Sequence, residues 1–146
     1  MNKRVIQSHL EVAETYSKLS YARRLKVGAI IVKDNRVISI GYNGTPSGWD
    51  NNCEIVTRRY ENGKEELQTK PEVIHAEANA IAKLARSQES GEGSDMFITH
   101  APCLECAKLI YTAGIKNVYY KHVYRNEDGL NFLHKCGIGT ERITDV

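Results

Sequence analysis

Apolar and polar positions along the chain separate into helical and strand periods. Val5, Ile6, Leu10, Ala13 and Ser17 fall near one face at helical spacing, so residues 4–19 read as an amphipathic helix. The run Val27-Gly28-Ala29-Ile30-Ile31-Val32-Lys33 is rich in β-branched residues and predicts a buried strand. Asp34-Asn35 is a turn pair that tolerates left-handed backbone, and Val37 to Gly41 resumes the strand pattern, so 27–41 predicts a β-hairpin. Gly44 to Trp49 is loop. Asp50 to Pro71 is polar and charged, with a turn signal at Asn62-Gly63, and reads as a surface insertion of low regularity. A second helix is expected over Ile74–Arg86, a Gly/Ser-rich loop over Ser87–Ser94 and a strand over Met96–Thr99. Pro102 is placed at the first helical position of a third helix, where its missing N–H costs nothing, and Gly114 ends that helix. A strand over Ile115–Lys121, a short helix over Asn126–Cys136 and a last strand over Ile138–Ile143 complete the chain. The order α-ββ-α-β-α-β-α-β predicts an α/β fold: a three-layer α/β/α sandwich around one mixed five-stranded sheet.

With 146 residues the chain is expected to form one domain, residues 1–146, with the polar insertion at about 50–71. Twenty Lys and Arg face eighteen Asp and Glu, a net charge of +2 that argues against a long nucleic-acid footprint but leaves room for one small anionic ligand. No apolar run approaches the roughly 18 residues of a membrane span. Met1-Asn2-Lys3-Arg4 leads into mixed polar sequence rather than an apolar signal segment, so a reducing, cytoplasmic compartment is expected. There Cys103 and Cys106 read as metal ligands rather than a disulfide.

Two motifs carry chemistry. His75-Ala76-Glu77 opens the second predicted helix, and Pro102-Cys103-Leu104-Glu105-Cys106 opens the third. Cysteines three apart share a helix face, and a helix N-terminus favours thiolates. One imidazole and two thiolates make a three-ligand zinc site with the fourth position left for water, the arrangement of catalytic rather than structural zinc. Glu77 is the piece a structural site does not need, since a carboxylate beside the metal can shuttle protons. H-x-E followed by P-C-x-x-C is the signature of zinc deaminases acting on cytosine or adenine. The alternative is a closed site that staples two helices and takes a fourth ligand from Cys53, Cys136, His9, His100, His122 or His134. A third class is a zinc module that binds partners without catalysis.

Beyond these motifs the chain carries Gly41-Tyr42-Asn43-Gly44-Thr45-Pro46-Ser47-Gly48, the strand Val27 to Val32, His75-Ala76-Glu77-Ala78-Asn79-Ala80-Ile81, and Thr99-His100-Ala101-Pro102-Cys103. Through them, over nearly its whole length, it resembles the deoxycytidylate (dCMP) deaminases of the zinc-dependent cytidine deaminase superfamily. The resemblance implies conversion of dCMP and water to dUMP and ammonia, supplying dUMP for thymidylate synthesis. It implies one catalytic Zn2+ per chain on His75, Cys103 and Cys106, with Glu77 as the proton carrier. Substrate contacts fall on Arg24, Tyr124 and Arg125 for the 5′-phosphate, on Asn43 for the deoxyribose and on Ala76. It further implies a hexamer activated by dCTP, with Mg2+ accompanying the bound nucleotide, and inhibited by dTTP. The effector site then involves Gly41, Tyr42, Asn43 and Gly44, a string that also reads as active-site rim. Some relatives hold a second zinc through a cysteine where this chain has Ala22, and no His precedes His75 after Cys53, so a second zinc is not expected. Cys53 is expected as a buried thiol and Cys136 as core; His100 is either pocket wall or ordinary strand residue. The same chemistry on dCTP, on free deoxycytidine or on a base in tRNA or single-stranded DNA stays open at this point.

Overall fold

The computed structural model describes residues 1–144. Helix α1 (Lys3–Ser17) is followed by strands β1 (Gly28–Lys33), β2 (Arg36–Tyr42), β3 (Glu54–Arg59) and β4 (Glu65–Thr69). Then come α2 (Ala76–Leu84), β5 (Asp95–His100), α3 (Leu104–Thr112), β6 (Asn117–His122), α4 (Asp128–Lys135) and β7 (Gly139–Arg142). Five strands form one sheet in the order β2-β1-β5-β6-β7. β1 runs antiparallel to β2 and to β5, while β5, β6 and β7 are parallel. The sheet is therefore mixed and five-stranded, as the element order predicts.

The apolar run of β1 explains the layering. Side chains alternate across a strand, so Ala29 and Ile31 enter one core and Ile30 and Val32 the other. The first core gathers Ala80 of α2, Ala107 and Ile110 of α3, and Leu133 of α4. The second lies under α1, where Ile6, Leu10 and Ala13 meet Phe97. Asn2 caps α1 by accepting from Val5 N–H at 3.0 Å. Asp34 and Asn35 both take positive φ, 51° and 59°, which gives the two-residue hairpin turn its right-handed twist. Gly114, at φ 83°, ends α3 as expected. Its N–H bonds Tyr111 O and the Ile115 N–H bonds Ile110 O, the paired closure that leaves few carbonyls unsatisfied.

Three details differ from expectation. The 50–71 segment is not irregular: β3 and β4 form a separate antiparallel hairpin with a register shift between Val56 and Arg58. Its residues are mostly exposed on both faces, so no one-sided alternation marked it in the sequence. Pro102 is not the first helical residue; α3 starts at Leu104 with Cys103 at its cap. Likewise α2 starts at Ala76 with His75 at its cap, and Ile74 instead bridges Gly44 through paired backbone hydrogen bonds of 2.8 and 3.1 Å.

Two glycines set how closely the layers approach. A Cβ on Gly41 would collide with Ala76 O and lie 2.6 Å from Ala80 N, so β2 can seat α2 only without a side chain there. A Cβ on Gly129 would collide with Pro102 O and lie 2.9 Å from Cys103 C, so the first turn of α4 rests directly on the Pro102–Cys103 backbone.

Candidate active site

The N-terminal ends of α2 and α3 bring the sequence motifs together. His75 caps α2, Cys103 caps α3, and Cys106 lies in the first turn of α3. His75 Nδ1 is 3.6 Å from Cys103 Sγ and 3.4 Å from Cys106 Sγ. All three donor atoms lie within 4.8 Å of one another. Tetrahedral zinc, with Zn–S near 2.3 Å and Zn–N near 2.0–2.1 Å, sets an N···S edge of about 3.5–3.6 Å. The donor set therefore fits zinc in both chemistry and spacing. Among the described residues no fourth His, Cys, Asp or Glu joins the group. Cys53, Cys136, His9, His100, His122 and His134 all stand outside it, which removes the closed-site alternative.

The protons on this group are contested. Hydrogen bonds with Cys106 and His75 hold the Cys103 thiol down to about 4. The bond to Cys103, with burial, pushes the Cys106 thiol up. A divalent cation displaces such protons, so metal binding here couples to pH. Glu77 sits in the first turn of α2 and is only 4 % exposed. Burial pushes its carboxyl up to about 7, where it can both take and give a proton near neutrality.

His75, Glu77 and Cys103 line a cavity of about 420 Å³. Its wall carries Arg24, Asn43, Ala76, Tyr124 and Arg125, every residue assigned to substrate in the sequence. Arg24 Nη1 donates to Thr69 Oγ1 of the β3–β4 hairpin at 2.9 Å, so the insertion supports the wall. Asn43 also ties the backbone together. Val27 N–H donates to its Oδ1 and its Nδ2 donates to Leu25 O, both at 2.8 Å. It clamps the segment that carries Arg24 into β1. His100 belongs both to β5 and to the cavity wall. Burial and the His122 ring, 4.8 Å away, hold it down to about 4, so it presents a neutral imidazole.

Tyr42, Asn43 and Gly44 line a second cavity of about 340 Å³; Gly41 lies outside it and serves the packing of α2. Asn43 and Cys53 belong to the walls of both cavities. Cys53 is a buried thiol and Cys136 packs half-buried against the core, as expected. Trp49 and Tyr60 are exposed; Tyr60 donates its hydroxyl to Glu66 and lies under the Arg58 guanidinium. Sequence reasoning missed Glu54, a 1 % exposed carboxylate in the first cavity wall, because a Glu in a polar stretch carries no signal of burial.

Comparison with known proteins agrees with this geometry. Residues 3–122 match the family described as the cytidine and deoxycytidylate deaminase zinc-binding region. The chain is similar to the crystal structure of dCMP deaminase from the cyanophage S-TIM5 in complex with dCMP and dUMP, with a TM-score of 0.88 and 42 % identity over 98 % of this chain and 99 % of that one. It is 33 % identical to deoxycytidylate deaminase of Enterobacteria phage T4 over 164 residues, covering 88 % of this chain and 84 % of that protein. It is 43 % identical to the Homo sapiens deoxycytidylate deaminase over 97 residues, covering 65 % of this chain and 52 % of that protein. With its three zinc donors, its buried glutamate and its mixed sheet in place, the chain belongs to the cytidine and deoxycytidylate deaminase family.

Proposed function

We propose that this chain hydrolyses dCMP to dUMP and ammonia. The observation that carries the reading is the union, in one cavity, of His75 and Cys103 of the three-donor group, a buried Glu77 and the basic pair Arg24 and Arg125. His75, Cys103 and Cys106 would hold zinc, which when bound would supply a water acidic enough to act as nucleophile near neutral pH. Glu77 would act as the proton carrier, accepting a proton from the attacking water and delivering it to N3 of the cytosine as the C4–O bond forms. Glu77 would then take the remaining proton from the new C4 hydroxyl and pass it to the amino group, so that the C4–N bond breaks and ammonia leaves with C4 as a carbonyl. Arg24 and Arg125 hold the 5′-phosphate with paired N–H donors, and Tyr124 adds a hydroxyl. Ala76, with no exposed surface, lets the base lie against the start of α2. Asn43 keeps Arg24 in register and borders the sugar.

Regulation and assembly belong to the same reading. The second cavity, with Tyr42, Asn43 and Gly44 in its wall and Lys83 as a cation, supports an effector site for dCTP, with Mg2+ on the phosphates, and for dTTP. The walls shared at Asn43 and Cys53 give it a route to the first cavity. Exposed Leu109 and Tyr111 on α3 support burial between subunits, in keeping with a homo-oligomer, the hexamer of the resemblance. The whole chain acts as one deaminase domain, in the cytoplasm; no helix among the described residues is long and apolar enough to cross a membrane.

The test is release of ammonia and dUMP from dCMP by the purified zinc-loaded protein, with and without dCTP and Mg2+. Turnover that rises with dCTP supports both reaction and regulation. Turnover indifferent to dCTP keeps the reaction and returns Gly44 and Tyr42 to the active-site rim. Absence of turnover with one zinc per chain refutes the dCMP reading.

A further inference from the structure

Among the described residues, Glu54 is the buried side chain whose hydrogen bonding is incomplete. It is 1 % exposed. Its Oε2 accepts from the backbone N–H groups of Arg23 and Arg24 at 2.9 and 3.1 Å. Its Oε1 is buried and, among the described residues, has no hydrogen-bond partner; it is ion-paired at 3.7 Å with Nε of the half-exposed Arg23, too long for a hydrogen bond. An unmet acceptor on a buried carboxylate is costly, and Glu54 lies in the wall of the ligand cavity, where an arriving ligand can bring the missing donor.

The proposed substrate limits which donor that is. A deoxycytidine 5′-monophosphate offers N–H at the 4-amino group and O–H at the 3′ position; its 5′ oxygen is esterified and its 2′ carbon bears no hydroxyl. The amino group goes to Glu77 and the metal donors, where it is lost. Glu54 is anchored on the amide of Arg24, the residue set to take the 5′-phosphate, and the sugar joins that phosphate to the base. Asn43 holds the other end of the same segment at Val27. The terminal torsion of a glutamate is soft, so Oε1 can turn toward an arriving donor while Oε2 keeps its amides.

We infer that Glu54 is a specificity residue: its Oε1, which carries no hydrogen bond among the described residues, accepts the 3′-hydroxyl of the deoxyribose, so the cavity takes nucleotides with a free 3′-hydroxyl. This rests on the dCMP reading above. A nucleotide without the hydroxyl leaves the acceptor unmet. A nucleotide with a 3′-phosphate, as in any residue within a DNA strand, sets two anions against each other. The same carboxylate thereby excludes cytosines embedded in nucleic acid.

The experiment measures kcat/KM of the zinc-loaded protein for dCMP, 2′,3′-dideoxycytidine 5′-monophosphate and 2′-deoxycytidine 3′,5′-bisphosphate. The expected order is dCMP first by about 10- to 100-fold over the dideoxy compound, with the bisphosphate lower still. Glu54→Gln removes the charge and offers an N–H, so turnover of the bisphosphate relative to dCMP rises by about 10-fold or more. Equal kcat/KM for dCMP and the dideoxy compound in the unmodified protein overturns the inference. So does a Glu54→Gln variant that lowers all three substrates in one proportion, which marks a purely structural carboxylate. Should that variant fail to fold, the three substrates on the unmodified protein decide alone. Loss of all turnover on dCMP withdraws the dCMP reading and this one with it; turnover without discrimination withdraws only this one.

Discussion

Asn43→Ala separates two accounts of one residue. The resemblance places Asn43 against the deoxyribose, whereas the structure shows its amide spanning Leu25 O and Val27 N–H, each at 2.8 Å. Alanine removes both bonds. The Val27 bond is partly buried and is worth about 1–1.5 kcal/mol, and the exposed Leu25 bond about 0.5 kcal/mol. The sum is about 1.5–2 kcal/mol, or roughly 3–8 °C in midpoint for a chain of this size. Because the freed segment carries Arg24, kcat/KM for dCMP falls with it, by about 10²-fold for a displacement near 1 Å. Urea unfolding followed by tryptophan fluorescence, paired with ammonia release, reads both quantities on one preparation. Asn43→Asp keeps the acceptor for Val27 but turns an oxygen toward Leu25 O, so it is expected to be no more stable than the alanine variant. An Asn43→Ala protein that loses activity with an unchanged unfolding midpoint refutes the clamp and leaves only a direct substrate contact.

Three further outcomes are expected. Glu77→Gln lowers turnover by about 10²–10⁴-fold while bound zinc, measured by chelator competition, stays at one per chain. Gly41→Ala forces a Cβ against Ala76 O and to within 2.6 Å of Ala80 N, moves α2 outward and costs about 1–3 kcal/mol in urea unfolding, with zinc held more weakly because His75 moves too. His100 is held at about 4 in the folded chain against 6.5 unfolded, so the unfolded state takes up its proton first as pH falls. Stability therefore declines between about pH 6.5 and pH 4, and His100→Gln flattens that part of the unfolding-versus-pH curve.

The sequence was most informative where one residue type serves one purpose. β1 announced itself because both faces are buried, and the Asp34-Asn35 turn because few residues accept positive φ. His75, Glu77, Cys103 and Cys106 were legible because metal chemistry restricts both identity and spacing. The β3–β4 hairpin was not legible, since exposed strands such as Glu54–Arg59 have no buried face to impose alternation. Glu54 escaped for a related reason: its burial is imposed by the backbone amides of Arg23 and Arg24, thirty and more positions away in sequence. The caps also shifted. His75 and Cys103 precede their helices instead of lying within them, because extended φ and ψ at a cap turn these side chains toward each other.

The glycine contact between α4 and the metal loop marks the boundary of what can be transplanted. The segment matched to the family ends at residue 122, yet Gly129 braces Pro102 and Cys103 from behind. A graft or truncation that keeps only residues 3–122 retains every zinc donor and loses the wall that stops the Cys103 loop from recoiling. The smallest portable deaminase from this chain therefore includes α4, and a library that varies α4 is a means of tuning metal affinity from outside the donor set.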